Sequence, residues 1–307
     1  MNKKYIAFFS LLIILAFIGY IIYDTAKSEN DLRAITETND EYSVPDQWII
    51  AKELVSGDGP LSSVTVSGNN DVYLGGDSYI SCYDSLMKKV WSIKTTGNVT
   101  SLSIYGDTIY CATSEMILLY SNKGKLIDEW GPFEDKSLIT SVASNKSFVA
   151  FADAGNKLVF VLTKDGRVKS MIGQTGEKFI IPSLYFDVAI DENNTLYIAN
   201  TGNRRVESRS IGGDLISYFG SPGIAPDAFC GCCNPAHFTL FNGGFLTAEK
   251  GINRIKILNE KGNFVEFVSS KNKFTVSIPL DIATSDGKTI YAANPADSKL
   301  YVFKRKN

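Results

Sequence analysis

The densest group of reactive side chains in the chain is Phe229-Cys230-Gly231-Cys232-Cys233-Asn234-Pro235-Ala236-His237. Three thiols and one imidazole can make a Cys3His ligand set, and thiolate donors suit zinc, copper(I) or an iron–sulfur centre. The spacing is tighter than Cys-x2-Cys, and adjacent cysteines strain a shared tetrahedral ion. The same residues fit a second chemistry. In an oxidising compartment, Cys230 with Cys233, or Cys232 with Cys233, forms a disulfide that stiffens the loop. Cys82 and Cys111 lie inside apolar runs and read as buried free thiols. His237 is the lone histidine of the chain, so histidine-based proton transfer has one imidazole to work with.

A second group is polar and charged: Asn200, Arg204, Arg205, Glu249, Lys250 and Arg254. Arginines grouped on one face can grip a carboxylate or phosphate. The Asn-Arg pairs also recur along the chain, which fits a structural role bridging neighbouring elements. No Gly-x-Ser-x-Gly elbow, phosphate-binding loop or His-Glu-x-x-His motif is present. Lysine and arginine total 31 against 33 acidic residues, a net charge of −2. That balance excludes a general nucleic-acid binder, which needs a basic excess. At 44% hydrophobic and 21% charged residues, the 307-residue chain has the composition of a folded protein.

Several kinds of element must position these residues. Tyr5 to Tyr23 is free of charge and proline, long enough as a helix to span ~30 Å of hydrocarbon. The segment ends in bulky residues rather than a small-x-small cleavage site, which predicts an uncleaved signal anchor over 5–23. Lys3 and Lys4 precede it, and the positive-inside rule leaves the tip at 1–4 in the cytoplasm and exports the rest. Residues 24–46 are charged and aperiodic and read as a flexible stalk.

From residue 47 to 307 there is no sustained helical period. Short runs of β-branched and aromatic residues alternate with Gly, Asn and Asp turns, the pattern of an all-β fold. Phe186-Asp187-Val188-Ala189-Ile190, Leu196-Tyr197-Ile198-Ala199-Asn200, Arg205-Val206 and Leu215-Ile216-Ser217-Tyr218-Phe219 make four strands with three turns. The order returns at 237–265 and 281–303, with weaker copies starting near 61, 99 and 139. Starts separated by 38 to 51 residues match a four-stranded propeller blade.

The segment 191–206, Asp-Glu-Asn-Asn-Thr-Leu-Tyr-Ile-Ala-Asn-Thr-Gly-Asn-Arg-Arg-Val, resembles the NHL repeat of six-bladed β-propellers. The resemblance implies a fold more than an activity. The Cys-Gly-Cys-Cys-Asn-Pro loop with an N-terminal anchor is similar to a bacterial, membrane-anchored subgroup of NHL-like proteins. Asp153, Asn200, Glu249 and Asn294 occupy equivalent repeat positions, and only two are acidic. That falls short of the convergent carboxylates of calcium-dependent, lactonase-type propellers.

Six starts predict six blades. The last copy ends after three strands, and residues 47–55 are expected to supply its outer strand, with Trp48, Ile49, Ile50 and Leu54 as an apolar face. Propeller topology puts the turns 200–203, 249–253 and 294–297 on one face with the loops 173–185 and 220–236. The expected function is a membrane-anchored, extracytoplasmic module that binds or scaffolds a protein or small-molecule ligand. One alternative is a metal or redox protein that uses the cysteine cluster and serves a membrane electron-transfer complex; the other is a propeller-type hydrolase or lyase.

Overall fold

The computed structural model describes residues 12–20, 23, 46–176, 178–270, 273–275 and 278–306. The chain divides into two units, residues 1–43 and 44–307. In the first, residues 12–20 are helical and exposed. No helix among the described residues is long and apolar enough to cross a membrane. The ends of the span expected at 5–23, and the stalk at 24–45, lie outside the described residues.

The second unit is a ring of six four-stranded antiparallel sheets. Blade 6 is closed by β1 (Trp48–Val55), the first strand of the chain. Blade 1 comprises β2 (Leu61–Val66), β3 (Val72–Gly76), β4 (Tyr79–Tyr83) and β5 (Lys89–Lys94). Blade 2 holds β6 (Ser101–Tyr105), β7 (Thr108–Ala112), β8 (Ile117–Ser121) and β9 (Leu126–Trp130). In blade 3 come β10 (Ile139–Ser144), β11 (Phe148–Asp153), β12 (Leu158–Thr163) and β13 (Val168–Ile172). β14 (Val188–Ile190), β15 (Leu196–Asn200), β16 (Arg205–Arg209) and β17 (Leu215–Phe219) make blade 4. Blade 5 has β18 (His237–Phe241), β19 (Gly244–Ala248), β20 (Ile255–Asn259) and β21 (Phe264–Ser269). Blade 6 adds β22 (Asp281–Ala283), β23 (Thr289–Asn294) and β24 (Lys299–Arg305).

Ring closure follows the sequence expectation: β1 pairs antiparallel with β24 from Trp48↔Arg305 to Val55↔Lys299, through a bulge between Ile50 and Lys52. The expected apolar face of β1 is narrower than the sequence suggests. Trp48 is buried and donates from Nε1 to Glu266 Oε1 at 3.1 Å, but Ile49 and Ile50 are exposed. The reason is position: β1 is the outermost strand of its blade and faces solvent, as β5, β9 and β17 do. Thus β1 seals the ring mainly through its backbone ladder. Asp46 also joins the propeller rather than the stalk. It accepts from Ser270 N at 2.8 Å and pairs with Lys273 Nζ at 2.6 Å.

The core lies between blades rather than within them. Six apolar clusters each join two adjacent blades, including one of Leu61, Val72 and Leu74 with Tyr291, Leu300 and Val302 across the closure. Burial of one such side chain contributes ~1.5–3 kcal/mol, so each junction is held by the same force. Cys82 and Cys111 share the junction of blades 1 and 2 as free, buried thiols, as expected. Burial pushes the Cys82 thiol up to about 11.

Candidate functional site

The inner strands β2, β6, β10, β14, β18 and β22 surround a central channel. Where these strands begin, six residues occupy one equivalent position: Ser63, Ser101, Ser141, Asp187, His237 and Asp281. Five of them fasten one blade to the next by accepting a backbone N–H. Ser63 Oγ accepts from Leu102 N at 3.0 Å, Ser101 Oγ from Val142 N at 3.1 Å, and Ser141 Oγ from Val188 N at 3.2 Å. Asp187 Oδ2 accepts from Phe238 N at 2.7 Å, and Asp281 Oδ2 from Val64 N at 2.8 Å. The next blade's amide opposite His237, Ile282 N, bonds instead to Asp281 Oδ1 at 3.0 Å.

His237 is therefore free of the fastening duty its repeat position carries elsewhere. Its Nδ1 lies 3.7 Å from Asp281 Oδ1 and 3.9 Å from Asp187 Oδ2. The Tyr185 ring meets the imidazole edge-on at 5.9 Å, and Lys250 Nζ sits 4.9 Å above Tyr185. Behind them the channel encloses about 240 Å³, and Asp187 and Asp281 are the charged residues among those lining it. Burial pushes the Asp187 carboxyl up to about 6, although His237 and hydrogen bonds from Ser141 and Phe238 oppose the shift. A carboxyl that changes charge near pH 6 beside an imidazole is suited to general acid–base work.

Two long loops cross this face, 173–187 and 220–236, and each is clamped by its own blade. Ile180 N donates to Asn200 Oδ1 at 3.1 Å. The turn at Gly202 lies against the same loop, where an added Cβ would sit 2.6 Å from the Ile180 carbonyl. Cys230 N donates to Glu249 Oε2 at 3.0 Å. In blade 3, Leu138 N donates to Asp153 Oδ1 at 2.9 Å. The repeat position Asp153/Asn200/Glu249 thus anchors the loop entering its blade, which explains why the acidic and amide side chains interchange there.

This geometry decides where the predicted residues go. Arg205 Nε donates to Glu207 Oε1 at 2.8 Å, and Asn200 Nδ2 reaches the same oxygen at 2.8 Å. Burial raises the Glu207 carboxyl, but the bonds from Asn200, Arg209 and Arg205 outweigh it and hold it low. Arg204 takes a left-handed backbone at the end of the turn. Glu249 and Arg254 are fully buried with Lys256. Arg254 donates to the Ile224 and Ala228 carbonyls, and Lys256 to those of Pro226 and Ala228. Lys250 Nζ lies over the Tyr185 ring.

The cysteines do not assemble with His237. Cys230 is buried, its Sγ directed at the Lys250 carbonyl at 3.7 Å, while Cys232 is exposed and contacts Cys233 at 3.0 Å, Sγ to Sγ. His237 instead faces the two carboxylates. Among the described residues, no group of three or more His, Cys, Asp or Glu side chains is arranged to hold a metal ion. The Cys3His set weighed for zinc, copper or iron is not formed, because Asn234 and Glu249 hold Cys230 inward by its backbone.

Sequence reasoning missed Asp187, Asp281 and the three serines. The signal was available: Phe186-Asp187-Val188-Ala189 and Leu280-Asp281-Ile282-Ala283 align with Ala236-His237-Phe238 at the entry of each inner strand.

No family model and no curated protein matches the chain. Solved structures do match it in fold. Virginiamycin B lyase from Staphylococcus aureus superposes with a TM-score of 0.59 at 16% identity, covering 83% of this chain and 99% of that one. A streptogramin B lyase gives 0.62 at 13% identity, over 84% and 98% of the two chains. A protein of unknown function from Bacteroides thetaiotaomicron gives 0.64 at 13%, over 83% and 72%. At such identities the likeness is one of fold. The chain is a six-bladed β-propeller that resembles virginiamycin B lyase and the NHL-type propellers.

Proposed function

We propose that this chain binds a small polar molecule at the mouth of its central channel and moves a proton on it through His237. One observation carries the reading. His237 occupies the one inner-strand position of six that fastens no blade, and it stands between two carboxylates. In this role Asp187 and Asp281 flank the imidazole at 3.9 and 3.7 Å, while Tyr185 and Lys250 form the rim. The reaction class is lyase- or hydrolase-type proton transfer. Support also comes from the fold: one matching structure is a catalytically inactive histidine-to-alanine variant of virginiamycin B lyase with quinupristin, so a propeller of this shape can depend on a single histidine. The apolar run 5–23 and the flanking lysines support a tethered, extracytoplasmic propeller.

A pure binding scaffold is the second reading. It is favoured by Asp187 and Asp281 themselves, since both already serve as blade fasteners. The test uses the full chain, a small-molecule library that includes virginiamycin B and quinupristin, and paired thermal-shift and mass-spectrometric readouts. Under the proposal, His237→Ala keeps its melting temperature without ligand and loses product formation. Binding that persists in the variant, with no product from the wild type, assigns the scaffold. Product formed equally by wild type and variant removes His237 from the reaction.

A further inference from the structure

Beside Lys250, the loop 220–236 carries a thiol pair that the proton-transfer site does not use. Cys232 Sγ and Cys233 Sγ lie 3.0 Å apart. Cys232 is exposed and Cys233 is buried, so a reagent in solution meets Cys232 first and Cys233 stands behind it. The loop holding them is fastened on both sides. Asn234 Nδ2 donates to the Cys230 carbonyl at 2.6 Å and the Lys250 carbonyl at 2.9 Å, and Lys250 N donates to Asn234 Oδ1 at 2.9 Å. Upstream, the buried Arg254 and Lys256 grip the carbonyls of Ile224, Pro226 and Ala228. The loop that carries the two adjacent thiols is thus held in place on both sides. The third thiol of the loop, Cys230, is turned away to the Lys250 carbonyl.

We propose that Cys232 and Cys233 form a redox-active vicinal dithiol that exchanges with small-molecule disulfides. The Cys232 thiolate attacks one sulfur of the disulfide, breaks its S–S bond and releases the first thiolate. The Cys233 thiolate then attacks Cys232 Sγ in the mixed disulfide, forms the Cys232–Cys233 bond and expels the second thiolate. Two electrons pass from protein to the small disulfide, and the two protons given up by the cysteines end on the two released thiols. A hydrogen bond to Cys233, then burial, holds the Cys232 thiol above its ordinary value, while Lys250 pulls it down. Exchange therefore quickens as pH rises above neutrality, because the thiolate is the attacking species.

The reduced full chain is incubated with oxidised glutathione, quenched with acid and mapped by peptide mass spectrometry. The expected result is a loss of about 2 Da within the peptide carrying Cys232 and Cys233, restored by dithiothreitol. Phenylarsine oxide, whose arsenic takes one bond from each thiol and releases one water, should protect both cysteines at one equivalent per chain. Cys233→Ser should instead accumulate a glutathione adduct on Cys232, Cys232→Ser should show neither product, and Cys230→Ser should behave as wild type. A lasting glutathione adduct on wild-type Cys232, a bond to Cys230, or no reaction with either reagent would overturn the proposal. The arsenical stoichiometry on the wild type decides the matter if Cys230→Ser fails to fold.

Discussion

The two halves of the ring use one backbone arrangement for different ends. At the junctions leaving blades 1, 2 and 3, the fastening position is Ser63, Ser101 and Ser141. At those leaving blades 4, 5 and 6, it is Asp187, His237 and Asp281. A serine hydroxyl suffices to accept one amide, so the first half shows what closure requires. A carboxylate accepts the amide with one oxygen and has a second to spare. Asp281 uses Oδ2 for blade 1 and turns Oδ1 toward Ile282 N and His237. The long loops 173–187 and 220–236 also belong to this second half. The lesson is that a repeat fold acquires spare polar groups by over-equipping positions it already needs, at the ends of its inner strands.

The severest way to break the ring acts on both halves at once. Deleting residues 47–55 removes the ladder to β24 and the buried Trp48, and leaves blade 6 with an open edge. One large apolar side chain is worth ~1.5–3 kcal/mol against a total stability of ~5–15 kcal/mol, before the ladder is counted. Aggregation, or a melting temperature lowered far beyond that of any point variant below, is expected in calorimetry. An unchanged melting temperature would detach β1 from the ring.

Next in size is Glu249→Ala. It leaves Arg254 and Lys256 buried without their carboxylate, where loss of one partner costs about 3–5 kcal/mol and frees the loop 220–236. Burial raises the Glu249 carboxyl, but Lys256 and Arg254 outweigh it and hold it below its ordinary value. Its stabilisation is thus present above that value and lost on acidification. Urea unfolding and limited proteolysis should show a lower midpoint and new cleavage within 220–236. A loop that stays resistant would mean the site half is not held by its buried charges.

Asp187→Asn sharpens the comparison through pH. The carboxyl is raised to about 6, so its contribution is complete below its unfolded value of ~3.9 and lost as pH climbs through 6. The variant carries no such penalty. Its melting temperature should gain on wild type between pH 4 and pH 7, by the equivalent of roughly 2–3 kcal/mol. A difference that stays flat across that range would show that burial does not perturb this group.

The smallest effects are the most diagnostic. Ser101→Ala removes the acceptor for Val142 N and should cost ~1–3 kcal/mol, the range for an unsatisfied buried donor. His237→Ala removes no blade fastener and should cost less than ~1 kcal/mol. Equal losses in chemical denaturation would place His237 among the fasteners and end the distinction between the halves.

Much of this was legible in the residues. The Asn-Arg-Arg-Val turn, the alternation of apolar strands and the spacing of their starts are local, so they survive in sequence and specify blades, their number and the closing strand. The loop at Cys230–His237 was legible as a place of interest, but its chemistry was not. Proximity in sequence brings Cys232 to Cys233, yet it says nothing of which way Cys230 turns, and that is set by Asn234, Glu249 and Lys250.

What the sequence determined by itself is everything carried by near neighbours: strand, turn, repeat, and the presence of a single imidazole. What only the tertiary structure decided is the meeting of Asp187, His237 and Asp281, which sit in three successive blades about 45–50 residues apart. Their convergence is set by the curvature of a closed ring, a sum over six blade junctions. The burial of Glu249, Arg254 and Lys256 was decided there too. Charged residues read as surface until a loop folds over them, and only that fold supplies the carboxylate and carbonyls that make burial of a charge tolerable.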